Sequence, residues 1–403
     1  MRKWLNRILA LIFILFISTV FLVTMAVKGP MYAYGFFKSY KYDLKEDATI
    51  FDNLRARIYK LDYNTRERLF LRNEMRLLNA RFQTLIGKEI FDVGGKDTIR
   101  LTNGAFYDMF TQKGTEEKMY ELIEFSKKLR EEKNIPTAFV YCHCGVYEED
   151  LLPEKYRPMD SNNSFADKFT KEFELAGISV TDSRAVYRRA NLSPEDAVMN
   201  SDIHWTHRMA LETAYDAVKN MNRDLSLQLD EDALLFERFH DEVHEDLLLG
   251  EIGTRLGENL VSKDDIHVFY PEYDTHIDFR SEKDEVVKER SGSFEEVIIE
   301  RDKLHLTDDN DYSITAYYVY GDYLATIHTV NENAPDTRIL VFKDSYGTPV
   351  SAFLTLAARE VVAIDLRSTT LSMEEVVNEV NPDVVVFAYS QQMLRKFDYE
   401  IAD

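Results

Sequence analysis

Ser345 follows an apolar segment, RILVFKDSYG at residues 338–347, at the point where a strand should give way to a turn and a helix. In open α/β sheets, reactive groups gather beyond the carboxyl ends of the strands. The free N–H groups at the start of the next helix could also stabilise a developing oxyanion. The position therefore suits a nucleophilic serine. It equally suits a helix cap, in which Asp344 or Ser345 stabilises the helix by about 1 kcal/mol.

A serine becomes a nucleophile only when a base takes its proton and a third group orients that base. The best candidates are Asp202 and His204 in SDIHWTHR, because residues two apart lie on one side of an extended segment. The carboxylate could then orient the imidazole. The alternative is another helix start, with Asp202 or Thr206 as the cap and His204 merely polar.

Two histidines in FHDEVHED, His240 and His244, offer a weaker metal site. Four residues apart on a helix, they would share a face as zinc ligands. However, Asp241 stands where the H-E-x-x-H pattern of zinc proteases has its glutamate. Solvated histidines on an acidic helix are the simpler interpretation, and no metal or cofactor is predicted.

The two cysteines of the chain, Cys142 and Cys144, flank His143 in the sequence YCHC. Residues this close seldom reach disulfide geometry, so no disulfide is predicted. On a strand, His143 would face away from both cysteines, and there is no second cysteine pair. Packing in the core is the interpretation that this pattern favours.

Composition indicates a globular chain that does not bind nucleic acid. Of 403 residues, 45% are hydrophobic and 30% charged, which is typical of a folded protein with a packed core. The net charge of −22 comes from 71 Asp and Glu against 49 Lys and Arg. Such an excess of negative charge repels a polyanion.

The N-terminal region predicts a membrane anchor. No charged residue occurs from Ile8 to Val27, a length that suits a membrane-spanning helix, and Arg2, Lys3 and Arg7 precede it. The positive-inside rule then places the N-terminus in the cytoplasm and the rest of the chain outside, in a single-pass cell membrane protein. Aromatic residues at 32–42 would form an interfacial belt. A cleaved signal peptide is the alternative, although its apolar region is usually only about 7–15 residues long.

Apolar segments that alternate with helical patterns predict an α/β domain with parallel strands and right-handed crossovers. The predicted strands are TAFVYCHC, ISVTD, RILVF, VVAIDL and PDVVVFAY, and the predicted helices cover residues 116–133, 163–175, 206–221, 348–359 and 373–380. The expected organisation is an anchor at 1–30, a juxtamembrane helical segment at 31–85 and the main domain at 86–403. Residues 222–335 interrupt it with acidic runs, interpreted as an insertion of helix and irregular strands over the main sheet.

Taken together, SDIHW before an Ala-rich helix, RILVFKDSYG, VVAIDLR and NPDVVVFAY resemble the DHHW family of bacterial proteins and the related alginate O-acetyltransferases with SGNH-hydrolase-like domains. The resemblance covers most of residues 85–395. It implies a flavodoxin-like parallel sheet with helices on both faces, and a permuted motif order in which Asp and His precede Ser. It also implies Ser345 as nucleophile with His204 and Asp202. Ile203 departs from the family, standing where DHHW has its first histidine.

The oxyanion donors of SGNH enzymes, a glycine and an asparagine, are not identifiable by motif in this sequence. The candidates for oxyanion or substrate contacts are Tyr346, Arg367, Asn331, Trp205 and Gly321. Nothing in their spacing selects one of them.

The resemblance implies an O-acetyltransferase that forms an acyl-serine and acts on a cell-envelope or secreted polysaccharide. Its acetyl donor would be delivered by a polytopic membrane acyltransferase. A carbohydrate O-acetylesterase could use the same triad with water as acceptor. A protein of a different class, a non-catalytic polysaccharide-binding or assembly protein, would keep Ser345 and His204 only as residues that begin helices.

Overall fold

The computed structural model describes residues 4, 8, 10–24, 26, 72–93, 96–109, 116–283, 286–306 and 312–396. The chain divides into two units, Met1–Gly87 and Lys88–Asp403. In the first unit, residues 10–24 are helical and a further helix, α1, spans Arg72–Leu85. Helix α1 falls within the predicted juxtamembrane segment. The predicted aromatic belt at 32–42 and the rest of the juxtamembrane segment up to residue 71 lie outside the described residues.

The predicted membrane anchor is contradicted. In the described part of Ile8–Val27, residues 10–24 form the continuous helical stretch. No helix in the described ranges is both long and apolar enough to cross a membrane. The prediction of a single-pass cell membrane protein is therefore wrong.

The second unit begins with a three-stranded antiparallel sheet and continues into the main α/β domain. The small sheet consists of β1 (Ile90–Val93), β2 (Lys96–Arg100) and β3 (Phe106–Asp108). The elements that follow are α2 (Glu117–Lys133), β4 (Thr137–Cys142), α3 (Asn162–Leu175), β5 (Ser179–Asp182), α4 (Ser183–Ala190), α5 (Pro194–Ala197), α6 (His207–Leu225), β6 (Phe239–Leu248), α7 (Glu251–Leu256), β7 (Asp264–Pro271), β8 (Ile277–Lys283), β9 (Val286–Gly292), α8 (Phe294–Ile298), β10 (Thr326–Val330), β11 (Arg338–Lys343), α9 (Gly347–Ala357), β12 (Glu360–Ile364), α10 (Met373–Val380), β13 (Val384–Ser390) and α11 (Gln391–Lys396). The predicted α/β elements are all present, with small shifts at their ends.

The main sheet has the strand order β5-β4-β13-β11-β12-β10-β8-β9 within the described residues. From β5 to β12 every pair is parallel, as predicted. Strands β10, β8 and β9 are antiparallel and extend the sheet beyond β12. The prediction that residues 222–335 lie over the sheet is wrong for these strands. Their pairing supplies partners for the backbone groups of β12, which would otherwise be an open edge.

Helices cover both faces of the parallel strands, as predicted. On β11, Ile339 and Val341 point into the core beneath α6 and α9, whereas Leu340 and Phe342 point into the core beneath α2, α3 and α10. Successive side chains of a strand face opposite sides, so a strand buried on both sides must be apolar throughout. This explains why RILVF reads as a continuous apolar run.

The segment that carries His240 and His244 is a strand, β6, and not the helix that its acidic pattern suggests. It pairs antiparallel with β7, whose Ile266 and Val268 are buried. Along a strand, residues four apart are separated by about 13 Å, too far to share one zinc ion. His244 contacts Glu242 instead, at 2.8 Å. The helical zinc pair is therefore excluded.

Candidate active site

Ser345 lies in the turn between β11 and α9, at the carboxyl edge of the parallel strands. Its side chain is half-buried, whereas Asp344 beside it is buried. The Asp344 carboxylate accepts the backbone N–H groups of Tyr346 at 3.0 Å and Gly347 at 3.3 Å, and the hydroxyl of Ser390 at 2.6 Å. Burial raises the pKa of Asp344 above its ordinary value. Because Asp344 satisfies the start of α9, the hydroxyl of Ser345 is left for another partner.

That partner is His204. The Nε2 atom of His204 lies 2.8 Å from Oγ of Ser345, although the two residues are 141 positions apart in the chain. The Nδ1 atom lies 2.5 Å from Oδ1 of Asp202, which also accepts the backbone N–H of His204 at 3.1 Å. The following helix, α6, is capped by Thr206, whose hydroxyl accepts the N–H of Met209 at 3.1 Å. Neither Asp202 nor His204 is therefore needed as a cap.

The electrostatic setting of Asp202 favours a carboxylate. Burial opposes ionisation, but the charge and hydrogen bonds of His204 and the N–H of Glu251 outweigh it and hold the pKa of Asp202 below its ordinary value. An ionised Asp202 accepts a hydrogen bond from Nδ1–H of His204. Nε2 is then free of hydrogen and can accept the proton of Ser345. The arrangement can perform nucleophilic catalysis with a general base.

A loop from the insertion holds Asp202 in place. The N–H of Glu251, at the start of α7, donates to Oδ2 of Asp202 at 2.8 Å. Gly250 packs so closely against this carboxylate that a Cβ atom there would lie 2.1 Å from Oδ2. The N–H of Gly250 also donates to Oγ of Ser201 at 2.9 Å. A glycine is required at 250 for this close approach.

A second carboxylate, Asp264 at the start of β7, fixes the segment that precedes Asp202. It accepts the N–H of Asn200 at 2.7 Å and both the N–H and the hydroxyl of Ser201, at 2.7 and 2.6 Å. Burial raises the pKa of Asp264 to about 6. Asp264 therefore supports the backbone that carries the Asp202 and His204 pair.

Aromatic side chains enclose the imidazole of His204. The ring of Tyr317 stacks on it at 4.1 Å between centroids, and the ring of Tyr346 lies 4.6 Å away. Both tyrosines are buried. The hydroxyl of Tyr346 donates to the backbone carbonyl of Ile203, and its ring packs edge to face with Trp205. This enclosure restricts the orientation of the imidazole and excludes water from its faces.

Of the candidate oxyanion or substrate residues, Tyr346 and Trp205 lie beside His204 as packing residues. The backbone N–H of Tyr346 is engaged by Asp344. Nε1 of Trp205 is buried and has no hydrogen-bond partner among the described residues. These contacts identify neither Tyr346 nor Trp205 as an oxyanion donor.

Asn331 lies at the edge of the sheet opposite to that of Ser345. Its N–H donates to the carbonyl of Arg359, immediately before β12 begins, and its amide donates to the carbonyl of Thr355 at 3.0 Å. This is the amino edge of the parallel strands, opposite Ser345. Gly321 follows the short helix Ala316–Tyr320, and its N–H donates to the carbonyl of Tyr318 at 3.1 Å. The structure does not bring Asn331 to the candidate site.

Arg367 follows β12 and so lies at the carboxyl edge, as Ser345 does. Its Nε and Nη2 atoms donate to the two carboxylate oxygens of Asp365 at 2.8 and 2.5 Å. Its guanidinium carbon lies 5.5 Å from the centre of the Tyr323 ring. Arg367 is therefore held in a fixed position at this edge.

Several residues that support the Asp202, His204 and Ser345 arrangement were not predicted from the sequence, among them Lys343 at the end of β11. Lys343 is fully buried, and its Nζ donates to the carbonyl of Tyr323 at 2.8 Å. Burial lowers the pKa of Lys343 to about 8. A lysine at the end of an otherwise apolar strand could have indicated a special role for this position. Gly250 and Asp264 had no such signal, because their roles depend on contacts with a distant segment.

A separate cavity of about 770 Å³ lies behind the segment that carries His204. Its lining includes Asn200, Thr206 and His207, together with Tyr147 and Phe236. Ser345, His204 and Asp202 do not line it. The cavity is therefore distinct from the candidate active site.

No protein-family model and no curated protein sequence matches the chain. Solved structures with similar folds were found. A DHHW family protein from Eubacterium siraeum matches with a TM-score of 0.57 and 15% identity, covering 77% of this chain and 95% of that one. PatB1 from Bacillus cereus matches with a TM-score of 0.56 and 17% identity, covering 75% of this chain and 98% of that one.

A second structure of Bacillus cereus PatB1, with a sulfonyl adduct, matches with a TM-score of 0.57 and 15% identity, over 75% of this chain and 97% of that one. The O-acetyltransferase domain of Pseudomonas putida AlgJ is less similar, with a TM-score of 0.45, 14% identity and coverage of 75% and 93%. At these identities the similarities establish the fold. The chain has the α/β fold of the DHHW family protein and of PatB1, and the resemblance seen in the sequence is confirmed at that level.

Proposed function

We propose that this protein is an acyltransferase that carries an acetyl group on Ser345. One observation carries the proposal: the imidazole of His204 lies between Asp202 at 2.5 Å and Ser345 at 2.8 Å, in the order that nucleophilic catalysis requires. The helix-capping roles that would otherwise explain these residues belong to Asp344 and Thr206. Because other residues fill these capping roles, Ser345 and His204 are not needed to begin helices, which argues against the non-catalytic alternative.

In the first half-reaction, Oγ of Ser345 attacks the carbonyl carbon of an acetyl ester while its proton passes to Nε2 of His204. The tetrahedral intermediate collapses as the donor C–O bond breaks, and His204 returns the proton to the departing oxygen. The products are acetyl-Ser345 and the free donor alcohol. Asp202 stabilises the imidazolium that forms between the two proton transfers.

In the second half-reaction, a hydroxyl group of the acceptor gives its proton to Nε2 of His204 and attacks the acetyl carbonyl carbon. The bond from the acetyl group to Oγ of Ser345 breaks, and Oγ recovers the proton from His204. A sugar acceptor gives an O-acetylated product, whereas water gives acetate. Acetyl transfer and ester hydrolysis thus use the same three residues.

The acceptor that we propose is a polysaccharide of the cell envelope or a secreted polysaccharide. Its support is the sequence resemblance to O-acetyltransferases and the shared fold with a DHHW family protein and PatB1. The acetyl donor proposed on the same resemblance is an ester supplied by a polytopic membrane acyltransferase. Carbohydrate O-acetyl ester hydrolysis is the second candidate, favoured by the half-buried position of Ser345, which water can reach.

The test is the mass of the intact full-length protein after mixing with 4-nitrophenyl acetate. Wild type should gain one acetyl group, and Ser345→Ala should gain none. Ser164→Ala, which changes an exposed helix serine, is the matched control and should behave as wild type. Faster discharge by an oligosaccharide than by water indicates transfer, and equal discharge indicates an esterase. A folded wild type that gains no acetyl group would refute the proposal.

A sulfonyl fluoride provides an independent probe of the same serine, and a PatB1 structure contains a sulfonyl adduct. Phenylmethylsulfonyl fluoride should add one sulfonyl group to wild type, with peptide mapping locating it on Ser345. His204→Ala should label at least about tenfold more slowly because the base is missing. Equal labelling rates in the two proteins would argue against His204 as the base.

A further inference from the structure

We infer that Tyr318, Tyr323 and Arg367, here termed the aromatic row, form the acceptor subsite and that it binds an uncharged pyranose ring. The inference rests on the proposed function and specifies its acceptor. The row lies at the carboxyl edge of the sheet and ends at the imidazole that would take the proton of the acceptor hydroxyl. No residue of the row belongs to the triad.

The row is continuous from Arg367 to the histidine. The guanidinium carbon of Arg367 lies 5.5 Å from the centre of the Tyr323 ring, and the Tyr323 and Tyr318 rings are 5.0 Å apart with an angle of 32° between their planes. The Tyr318 ring then meets the imidazole of His204 at 6.0 Å, nearly perpendicular. A ligand in contact with Tyr318 is therefore close to the base.

Exposure separates these tyrosines from the others near the site. Tyr317 and Tyr346 pack against His204 and are only 3% and 2% exposed, so they serve as core residues. Tyr318 and Tyr323 are half-buried. A partly exposed aromatic ring offers an apolar surface together with a hydroxyl group, which matches the C–H face and the hydroxyl groups of a sugar.

The row is rigid. The carbonyl of Tyr323 accepts a hydrogen bond from the buried ammonium of Lys343, one position before Asp344 in the nucleophile turn. The preceding residue, Asp322, pairs with Lys283 and accepts the N–H of Leu324. Tyr323 and the nucleophile are thus tied to the same strand end. A preformed surface loses little entropy when a sugar binds.

Charge indicates an uncharged ligand. Arg367 donates two hydrogen bonds to Asp365, which is fully buried, so its positive charge is locally balanced. The whole chain carries a net charge of −22. An anionic sugar would meet no unbalanced cation in the row and would be repelled by the protein as a whole. A neutral pyranose avoids both penalties.

Calorimetric binding to the full-length Ser345→Ala protein tests the inference without turnover. In this background, chitohexaose or cellohexaose should bind, and Tyr318→Ala or Tyr323→Ala should raise the Kd at least about tenfold. Tyr318→Phe keeps the ring and should stay within about threefold, which separates loss of the surface from misfolding. Tyr270→Ala is the matched control, because Tyr270 also contacts a histidine, His240 at 5.0 Å, but lies on β7.

In the active protein, the same two alanine variants should raise the acceptor concentration that half-saturates discharge of acetyl-Ser345. Unchanged Kd values in folded alanine variants, or tighter binding of hexagalacturonate than of the uncharged hexasaccharides, would overturn the inference. Loss of sugar binding in these variants, with no acetylation of Ser345 in wild type, would support the subsite and refute the proposed reaction. The two failures are thus distinguishable.

Discussion

At the scale of single residues, the reactivity proposed for Ser345 comes from the groups around it. An alkyl hydroxyl holds its proton tightly at neutral pH, so the base must be both adjacent and in the correct tautomer. The 2.8 Å contact from Ser345 to His204 meets the first condition. The 2.5 Å contact from His204 to Asp202 meets the second, because an ionised carboxylate can accept a hydrogen bond but cannot donate one.

Replacement of Asp202 by asparagine should therefore slow acetylation of the serine by about 10³ to 10⁴-fold. The amide can donate to Nδ1 of His204, which places the imidazole hydrogen on Nε2 and removes the acceptor for the serine proton. Stopped-flow release of 4-nitrophenol measures the rate. Asp241→Asn is the matched control, because Asp241 also contacts a histidine, His267 at 2.9 Å, outside the triad. A rate for Asp202→Asn within tenfold of wild type would contradict this role.

At the scale of elements, the candidate site joins four separate pieces of chain. The turn after β11 supplies Ser345, and the segment before α6 supplies Asp202 and His204. The start of α7, within the insertion, holds the Asp202 carboxylate, and the start of β7 holds the backbone before it. The insertion therefore contributes to the geometry of the site as well as to the sheet.

Gly250→Ala tests the contribution of the α7 loop. The added methyl group would lie 2.1 Å from Oδ2 of Asp202, so either the loop or the carboxylate must move. We expect a loss of about 1–3 kcal/mol in the free energy of unfolding from this overpacking and a fall in acetylation rate of at least about tenfold. Urea unfolding and burst kinetics measure the two effects.

Gly292→Ala is the control for this substitution, because its methyl group would meet the side chain of Glu296, with Oε2 at 2.6 Å, and not Asp202. It should retain the acetylation rate of wild type. If Gly250→Ala retains the wild-type acetylation rate as well, the loop does not position Asp202.

Asp264 should make the stability of the fold depend on pH. Its pKa of about 6 lies above the ordinary value of about 3.9, so the folded protein binds this proton more tightly than the unfolded chain does. The contribution is thus present in full below about pH 4, and about 3 kcal/mol is lost as the pH rises through 6 to 7. In Asp264→Asn this fall should disappear. Urea unfolding at pH 4, 5, 6 and 7 gives the comparison, and parallel profiles for the two proteins would contradict the assignment.

At the scale of the whole molecule, the net charge of −22 sets which substrates can approach. Long-range repulsion of an anion is screened by salt, with a Debye length of about 30 Å at 0.01 M and about 8 Å at 0.15 M. Between these salt concentrations, acetylation by an anionic ester should accelerate several-fold. Acetylation by neutral 4-nitrophenyl acetate should change little. Equal salt dependence for both esters would show that the net charge does not act at the site.

Local sequence patterns were sufficient to predict the parallel part of the sheet and the edge at which the candidate catalytic residues lie. Continuous apolar strands between amphipathic helices are local patterns, and a chain that contains them must bury both faces of those strands. The positions of Ser345 and of the Asp202 and His204 pair followed from the same patterns together with the family resemblance. Apolar composition was less reliable for Ile8–Val27, because no helix among the described residues is both long and apolar enough to cross a membrane.

The way in which distant segments meet depends on the tertiary structure and not on local sequence patterns. The contact between His204 and Ser345 spans 141 positions and depends on strand order, which no local pattern specifies. Strand β6 has the acidic pattern of an exposed helix, and its pairing with β7 overrides that preference. The roles of Gly250 and Asp264 likewise exist only through contacts with the Asp202 segment. Local periodicity depends on neighbouring residues and can be recognised in the sequence. The contacts that hold the candidate catalytic residues in place join partners that are far apart in the chain.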